Sequence, residues 1–169
     1  MARVGRAALS PPAPIDPTHD TSAFSCGNDA LDAWLTTTAL KAEGRSARTY
    51  VVCEGKAVVG YYCLATGAVA RSAAPGKIRR NAPDPIPVMV IGRLAITERC
   101  KGRGIGTAML RDALRRVLQT AEIVGCRAVL VHAIDDSAVD FYARYGFTEF
   151  PGGTRTMFLP FATVRLALG

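Results

Sequence analysis

Apolar positions along this chain switch between a period near two and a period near 3.6, and each switch marks an element. Arg48 to Cys53 runs into Val51-Val52, Glu54-Gly55-Lys56 has turn chemistry, and Ala57 to Ala65 is strand-like, so a hairpin is predicted over 48–65. Upstream, Leu31, Trp34, Leu35, Ala39 and Ala42 share one helical face, which Asn28 or Asp29 can cap and Gly44 can close. The Pro-rich start up to Pro17 reads as a loose arm (residues 1–14) or a short edge strand. Ala73 to Pro87 holds four prolines and a Lys77-Ile78-Arg79-Arg80 cluster, and reads as a loop. Val88 to Ile96 is a strong strand interrupted by Gly92-Arg93.

Glycines at 102, 104 and 106 then open a helix whose apolar face is Met109, Leu110, Ala113, Leu114, Val117, Leu118 and Ala121, ending at Gly125. Arg127 to Ala133 is a strand, Ser137 to Tyr145 a short helix stopped by Gly146, and Phe147–Phe150 and Thr156–Phe161 are two last strands. Antiparallel hairpins come first and β-α-β crossovers later. The pattern predicts an α/β (mixed α+β) fold with one mixed, mostly antiparallel sheet and helices on both faces.

A length of 169 residues fits a single domain over 1–169. No apolar run is long enough to span a bilayer, and none of signal-peptide length follows Arg3 and Arg6, so a cytoplasmic protein without a membrane partner is expected. The five cysteines (Cys26, Cys53, Cys63, Cys100 and Cys126) are odd in number, widely spaced and free of C-x-x-C pairs. They read as reduced thiols, with no metal site expected.

Charge changes the picture more than composition does. The net charge is +7, and between Ala68 and Arg111 nine basic residues face only Asp84 and Glu98. Such a block suggests an anionic partner: a phosphorylated cofactor, a nucleic acid, or neither if it is only a solvated face. The candidate chemistry lies at Lys101-Gly102-Arg103-Gly104-Ile105-Gly106-Thr107. A helix N-terminus carries unpaired N–H groups and partial positive charge, and glycines admit phosphate oxygens to those amides. Neither the P-loop nor the G-x-G-x-x-G spacing is present, and a tight strand-to-helix turn alone would also use these glycines.

In this stretch, Lys101-x-x-Gly104-x-Gly106 after a strand, followed by a strand leading into Phe141-Tyr142-x-x-x-Gly146-Phe147, the chain resembles the GCN5-related N-acetyltransferases. Position 101 departs from that family's signature, which has Gln or Arg there. Phe24-Ser25-Cys26-Gly27, Leu31-Asp32-x-Trp34-Leu35, Val59-Gly60-Tyr61-Tyr62, Arg79-Arg80-Asn81, Gly92-Arg93-Leu94-Ala95-Ile96 and Phe158-Leu159-Pro160 are similar to the acetyltransferase toxins of type II toxin–antitoxin modules. That resemblance implies acetyl-CoA as cofactor, aminoacyl-tRNA acetylated at its α-amine, a ribbon-helix-helix antitoxin as partner, and a homodimer.

The resemblance also implies roles. The Leu94 N–H would polarise the thioester carbonyl, Ala95 and Ile96 would bond the pantetheine arm, and Lys101 to Thr107 would grip the diphosphate. Tyr142 would protonate the leaving thiolate, a transfer uphill by about 2 kcal/mol between ordinary phenol and thiol pKa values. Asp135 either lies near the cofactor or caps the last helix. Arg71, Lys77, Arg79, Arg80 and Arg93 would face tRNA phosphates. Two other readings stay open on sequence: an N-acetyltransferase acting on small molecules or proteins, and a non-catalytic acyl-CoA- or nucleic-acid-binding module.

Overall fold

The computed structural model of the chain describes residues 8–168. The first part of the expected N-terminal arm, residues 1–7, lies outside them. Seven strands form one sheet in the order β1-β2-β3-β4-β5-β7-β6. They are β1 (Ala13–Pro14), β2 (Arg48–Glu54), β3 (Ala57–Val69), β4 (Ile86–Ile96), β5 (Ala128–His132), β6 (Thr148–Glu149) and β7 (Thr156–Pro160). The helices are α1 (Asp29–Thr37), α2 (Ala39–Ala42), α3 (Gly76–Arg79), α4 (Ile105–Ala121), α5 (Asp136–Ala143) and α6 (Phe161–Leu168). The backbone falls into two compact units: residues up to Cys63 with Arg93–Leu110, and Leu64–Gly92 with Arg111 onward.

In the first unit the arm resolves into an edge strand, with Ala13 opposite Val51 and Pro14 opposite Tyr50. Proline is tolerated there because an edge position need not donate to the ladder. The expected helix over 31–42 is broken. Asn28 caps α1 by accepting the Leu31 N–H at 3.1 Å, and Thr38, with φ −120°, both ends α1 and opens α2. The apolar core here gathers Ile15, Phe24, Leu35, Ala39, Val51, Val58 and Ala95 around Tyr61. Full burial of each large side chain stabilises by about 1.5–3 kcal/mol.

In the second unit β4 and β5 run parallel, with Met89, Val90 and Ile91 opposite Val129, Leu130 and Val131. Central β5 is buried over 128–131, as a strand paired on both edges requires. It pairs antiparallel with β7 from Ala128↔Pro160 to His132↔Thr156. Ile78, Ala82, Ile86, Val88, Leu130 and Phe158 form the core.

Several boundaries differ from the sequence reading. β4 begins at Ile86 and takes in Pro87. The expected loop before it contains α3, whose Ile78 is buried. The last strand stops at Pro160, and α6 follows without a polar cap to announce it. None of the five cysteines forms a disulfide among the described residues; Cys126 is half-buried and the others are buried. No helix among the described residues is long and apolar enough to cross a membrane, and no group of His, Cys, Asp and Glu there could hold a metal.

Candidate active site

The glycine turn links β4 to α4. Gly102 and Gly104 adopt φ of +81° and +78°. A Cβ added at either would meet nothing within 4 Å. These glycines are therefore required by backbone conformation, not by crowding, and the space before them is open. Left-handed residues spaced in this way are how successive N–H groups make an anion-binding concavity. The seventeen-residue α4 adds the positive end of its dipole. A diphosphate fits such a turn, so the residues present suit acetyl-CoA.

The turn is stitched to the segment before α1. The Ser25 N–H donates to Thr97 Oγ1 at 3.1 Å, the Glu98 N–H donates to Ser25 O at 2.8 Å, and Lys101 Nζ donates to Cys26 O at 2.8 Å. Gly27, with φ +90°, completes this clasp, because a Cβ there would stand 2.6 Å from Glu98 Oε1. Lys101, expected at the phosphates, thus spends one donor on a main-chain carbonyl.

Arg99 and Arg103 converge on Glu54. Its Oε1 lies 3.2 Å from Arg99 Nη1 and 3.6 Å from Arg103 Nη1, and it accepts from Cys100 Sγ at 3.5 Å. Burial pushes the Glu54 carboxyl up, but the Cys100 thiol and the two guanidinium groups together outweigh it and hold the group below the usual carboxylate range. The Glu54 side chain is only 14% exposed.

Arg93, on β4 beside Leu94, is half-buried over Trp34, and its Nη1 comes within 3.9 Å of Cys63 Sγ. Trp34 stacks on Tyr61 with ring centres 5.9 Å apart. The Tyr61 hydroxyl donates to Leu31 O at 2.7 Å, and burial pushes its pKa up. Leu94 and Ile96 are half-buried and Ala95 is buried.

In the second unit Tyr142 is buried on α5, edge-on to Phe141 and tilted against Phe147. Asp135 caps that helix, its Oδ1 accepting the Ala138 N–H at 2.8 Å. Lys77, Arg79 and Arg80 are exposed on α3 and its C-cap, with Arg71 on the short turn before it. The one acid of this segment, Asp84, accepts the Arg71 backbone N–H at 3.0 Å, and it forms no salt bridge among the described residues. Gly76, Lys77 and Arg80 line a shallow depression of about 380 Å³. Three participants escaped the sequence reading: Glu54, the indole of Trp34 and the Cys26 carbonyl. Each is far in sequence from what it touches.

Known proteins agree with this geometry. The Acetyltransferase (GNAT) family matches residues 15–147. The chain is 41% identical over 162 residues to a tRNA-acetylating toxin of Mycobacterium tuberculosis, covering 95% of this chain and 97% of that protein. Among solved structures it is similar to AtaT complexed with acetyl-methionyl-tRNAfMet, at 28% identity and a TM-score of 0.85 over 96% of this chain and 100% of that one. It is also similar to a tyrosine-to-phenylalanine mutant of AtaT bound to the C-terminus of the antitoxin AtaR and acetyl-CoA. That likeness has 27% identity and a TM-score of 0.81, over 94% of this chain and 96% of that one. With more than half its length matched by one family, from just past the edge strand through the glycine turn to the Tyr142 helix, this chain belongs to the GNAT acetyltransferases.

Proposed function

We propose that this chain is an acetyl-CoA-dependent N-acetyltransferase toxin that acetylates the α-amine of aminoacyl-tRNA and so blocks translation. The open glycine turn at the head of α4 carries the reading on the cofactor side. The near full-length likeness to a tRNA-acetylating toxin supports the acceptor. The likeness to AtaT with its antitoxin supports an antitoxin partner here. A ribbon-helix-helix form for that partner and a homodimeric toxin belong to the same proposal, as does action in the cytoplasm.

Acetyl-CoA, when bound, supplies an acyl group activated as a thioester. The 102–106 backbone would hold its diphosphate, and Thr107, in the first turn of α4, would stand next to it. The parallel register of β4 with β5 covers only Met89 to Ile91, which supports Leu94, Ala95 and Ile96 as backbone partners for the pantetheine arm. The Leu94 N–H would stabilise charge developing on the thioester oxygen. The Tyr142 hydroxyl would give its proton to the departing thiolate. The acceptor amine needs no strong base: an α-amine has a pKa of about 7.7–8.0, and an adjacent ester lowers it further. Asp135 would support the site by fixing the start of the Tyr142 helix. Arg71, Lys77, Arg79 and Arg80, without an acid paired to their side chains among the described residues, would bind tRNA phosphates, as would Arg93.

Charged tRNA and acetyl-CoA labelled in the acetyl group test this directly. Label is expected on the aminoacyl group, with transfer falling steeply as salt rises. Label that reaches small amines or proteins but no aminoacyl-tRNA overturns the acceptor assignment.

A further inference from the structure

We infer that Glu54, at the end of β2, is a positioning residue for the glycine turn: by holding Arg103 it keeps the 102–104 backbone in the shape that receives the cofactor diphosphate. The inference rests on the cofactor reading above and adds a residue outside the turn to it.

Arg103 stands between two glycines in the left-handed region. Glycine has the most backbone freedom to lose, so a turn built this way is costly to order unless something holds it. The only side chain between the two glycines is the one Glu54 grips. The same oxygen holds Arg99 and the Cys100 thiol, which lie in the turn of 3-10 helix leading into the loop. Arg103 Nη2 also reaches Arg99 O at 3.4 Å, tying the strut to the backbone behind it. The carboxylate is shielded and the guanidinium groups are more exposed, at 56% for Arg99 and 30% for Arg103. Glu54 is therefore the fixed post and the arginines are the stays.

The arrangement has a chemical corollary. Lys101 is held by the Cys26 carbonyl, and Arg99 and Arg103 by Glu54. Each cation flanking the turn already gives a donor to a protein partner, so in this proposal the ordered main-chain N–H groups carry the larger share of the grip on the diphosphate. An ordered turn binds more tightly because less freedom is lost on association.

The test compares the full-length parent with Glu54→Gln. Acetyl-CoA affinity is measured by calorimetry, kcat and KM with charged tRNA as acceptor, and hydrogen exchange of the 102–106 amides in the free protein. The variant is expected to raise Kd and KM for acetyl-CoA about five- to tenfold, to leave kcat within about twofold, and to speed exchange of the turn. Unchanged affinity together with unchanged exchange overturns the inference. So does tighter binding, which would make Glu54 only a charge opposing the phosphates. A fall in kcat at constant KM also overturns it. If Glu54→Gln does not fold, Arg103→Gln loosens the same contact from its exposed end, and unchanged exchange there overturns the inference equally. A parent that binds no acetyl-CoA would sink the cofactor reading; the exchange measurement still reports separately whether Glu54 orders the turn.

Discussion

Arg93 carries its guanidinium carbon 4.2 Å from the centre of the Trp34 ring. No carboxylate among the described residues pairs with it; besides the indole it has only a long contact to Cys63 Sγ. Such a contact with an aromatic face is worth about 0.5–2 kcal/mol and leaves most of the five N–H donors unused. This cation is held in place and still able to bind an anion. Arg93→Met should keep the fold, with a loss of about 1 kcal/mol in a denaturant titration. It should lower kcat/KM for aminoacyl-tRNA and reduce the slope of log K against log salt by about one. A variant with the parent's salt slope would show that Arg93 only packs.

Two glycines of the first unit should fail in different ways. Gly104→Ala places a side chain in a left-handed conformation at a cost of about 1–2 kcal/mol. The open space before it means the damage falls on the shape of the turn, so acetyl-CoA affinity should drop about tenfold. Gly60→Ala would instead set a Cβ 2.9 Å from Met109 Sδ, inside the core. Overpacking there should cost about 1–3 kcal/mol of stability while the folded fraction binds acetyl-CoA normally. Calorimetric binding and urea titration of both variants separate the two outcomes.

Tyr142→Phe removes one hydroxyl from a ring packed against Phe141 and Phe147. A proton donor contributes about 10²–10⁴-fold to rate, so kcat should fall at least a hundredfold. Acetyl-CoA affinity and the thermal midpoint should stay close to the parent's. Transfer at the parent rate would take Tyr142 out of the chemistry and leave it a core aromatic.

Much of this was readable along the chain, for reasons that differ by element. α4 announces itself because one face is buried and the apolar period follows, and the 48–65 hairpin because turn residues separate two apolar runs, buried continuously over Val51–Cys53 and Val58–Leu64. The turn between Gly102 and Gly106 is legible because glycine takes most readily the positive φ found at Gly102 and Gly104. The break at Thr38 was not, since the apolar spacing continues straight through it and only the backbone turns. α3 and α6 hide in the same way: one follows a proline with no polar cap, the other starts directly from the last residue of β7. Lys101 reads as a phosphate ligand from its neighbours and is found on Cys26 O, 75 residues away. Glu54 was invisible because its meaning comes from partners on a different strand connection. Asp135 offered two roles on sequence, and its Oδ1 contact with the Ala138 N–H serves the capping one.

Acid should expose the Glu54 contact. Its folded pKa lies below the ordinary carboxylate value, so the unfolded chain takes up the proton first as pH falls. The stabilisation is present above the unfolded value of about 4.3 and is lost as pH drops through the folded one. Stability of the parent should therefore fall more steeply below about pH 4.5 than that of Glu54→Gln. Parallel urea midpoints across that range would show that the contact contributes nothing.

Thr49 should yield a gain. It is fully buried on β2, and its Oγ1 has no hydrogen-bond partner among the described residues, although its backbone N–H donates to Glu43 Oε2 at 2.8 Å. Thr49→Val keeps the shape, the β-branch and the main-chain bonds while removing the orphaned hydroxyl. An increase of about 1 kcal/mol in unfolding free energy is expected, and a loss of stability would mean the hydroxyl is satisfied in solution.

The clasp of Ser25 and Cys26 against Thr97 and Lys101 bears on how such enzymes can be recombined. A chimera that keeps this β4–α4 junction but takes the stretch ahead of the first helix from a protein without glycine at position 27 would strain the backbone at φ +90° and crowd Glu98, and a shifted loop there would take the Cys26 carbonyl away from Lys101. The two segments, about seventy residues apart in the chain, are transplantable only as a pair.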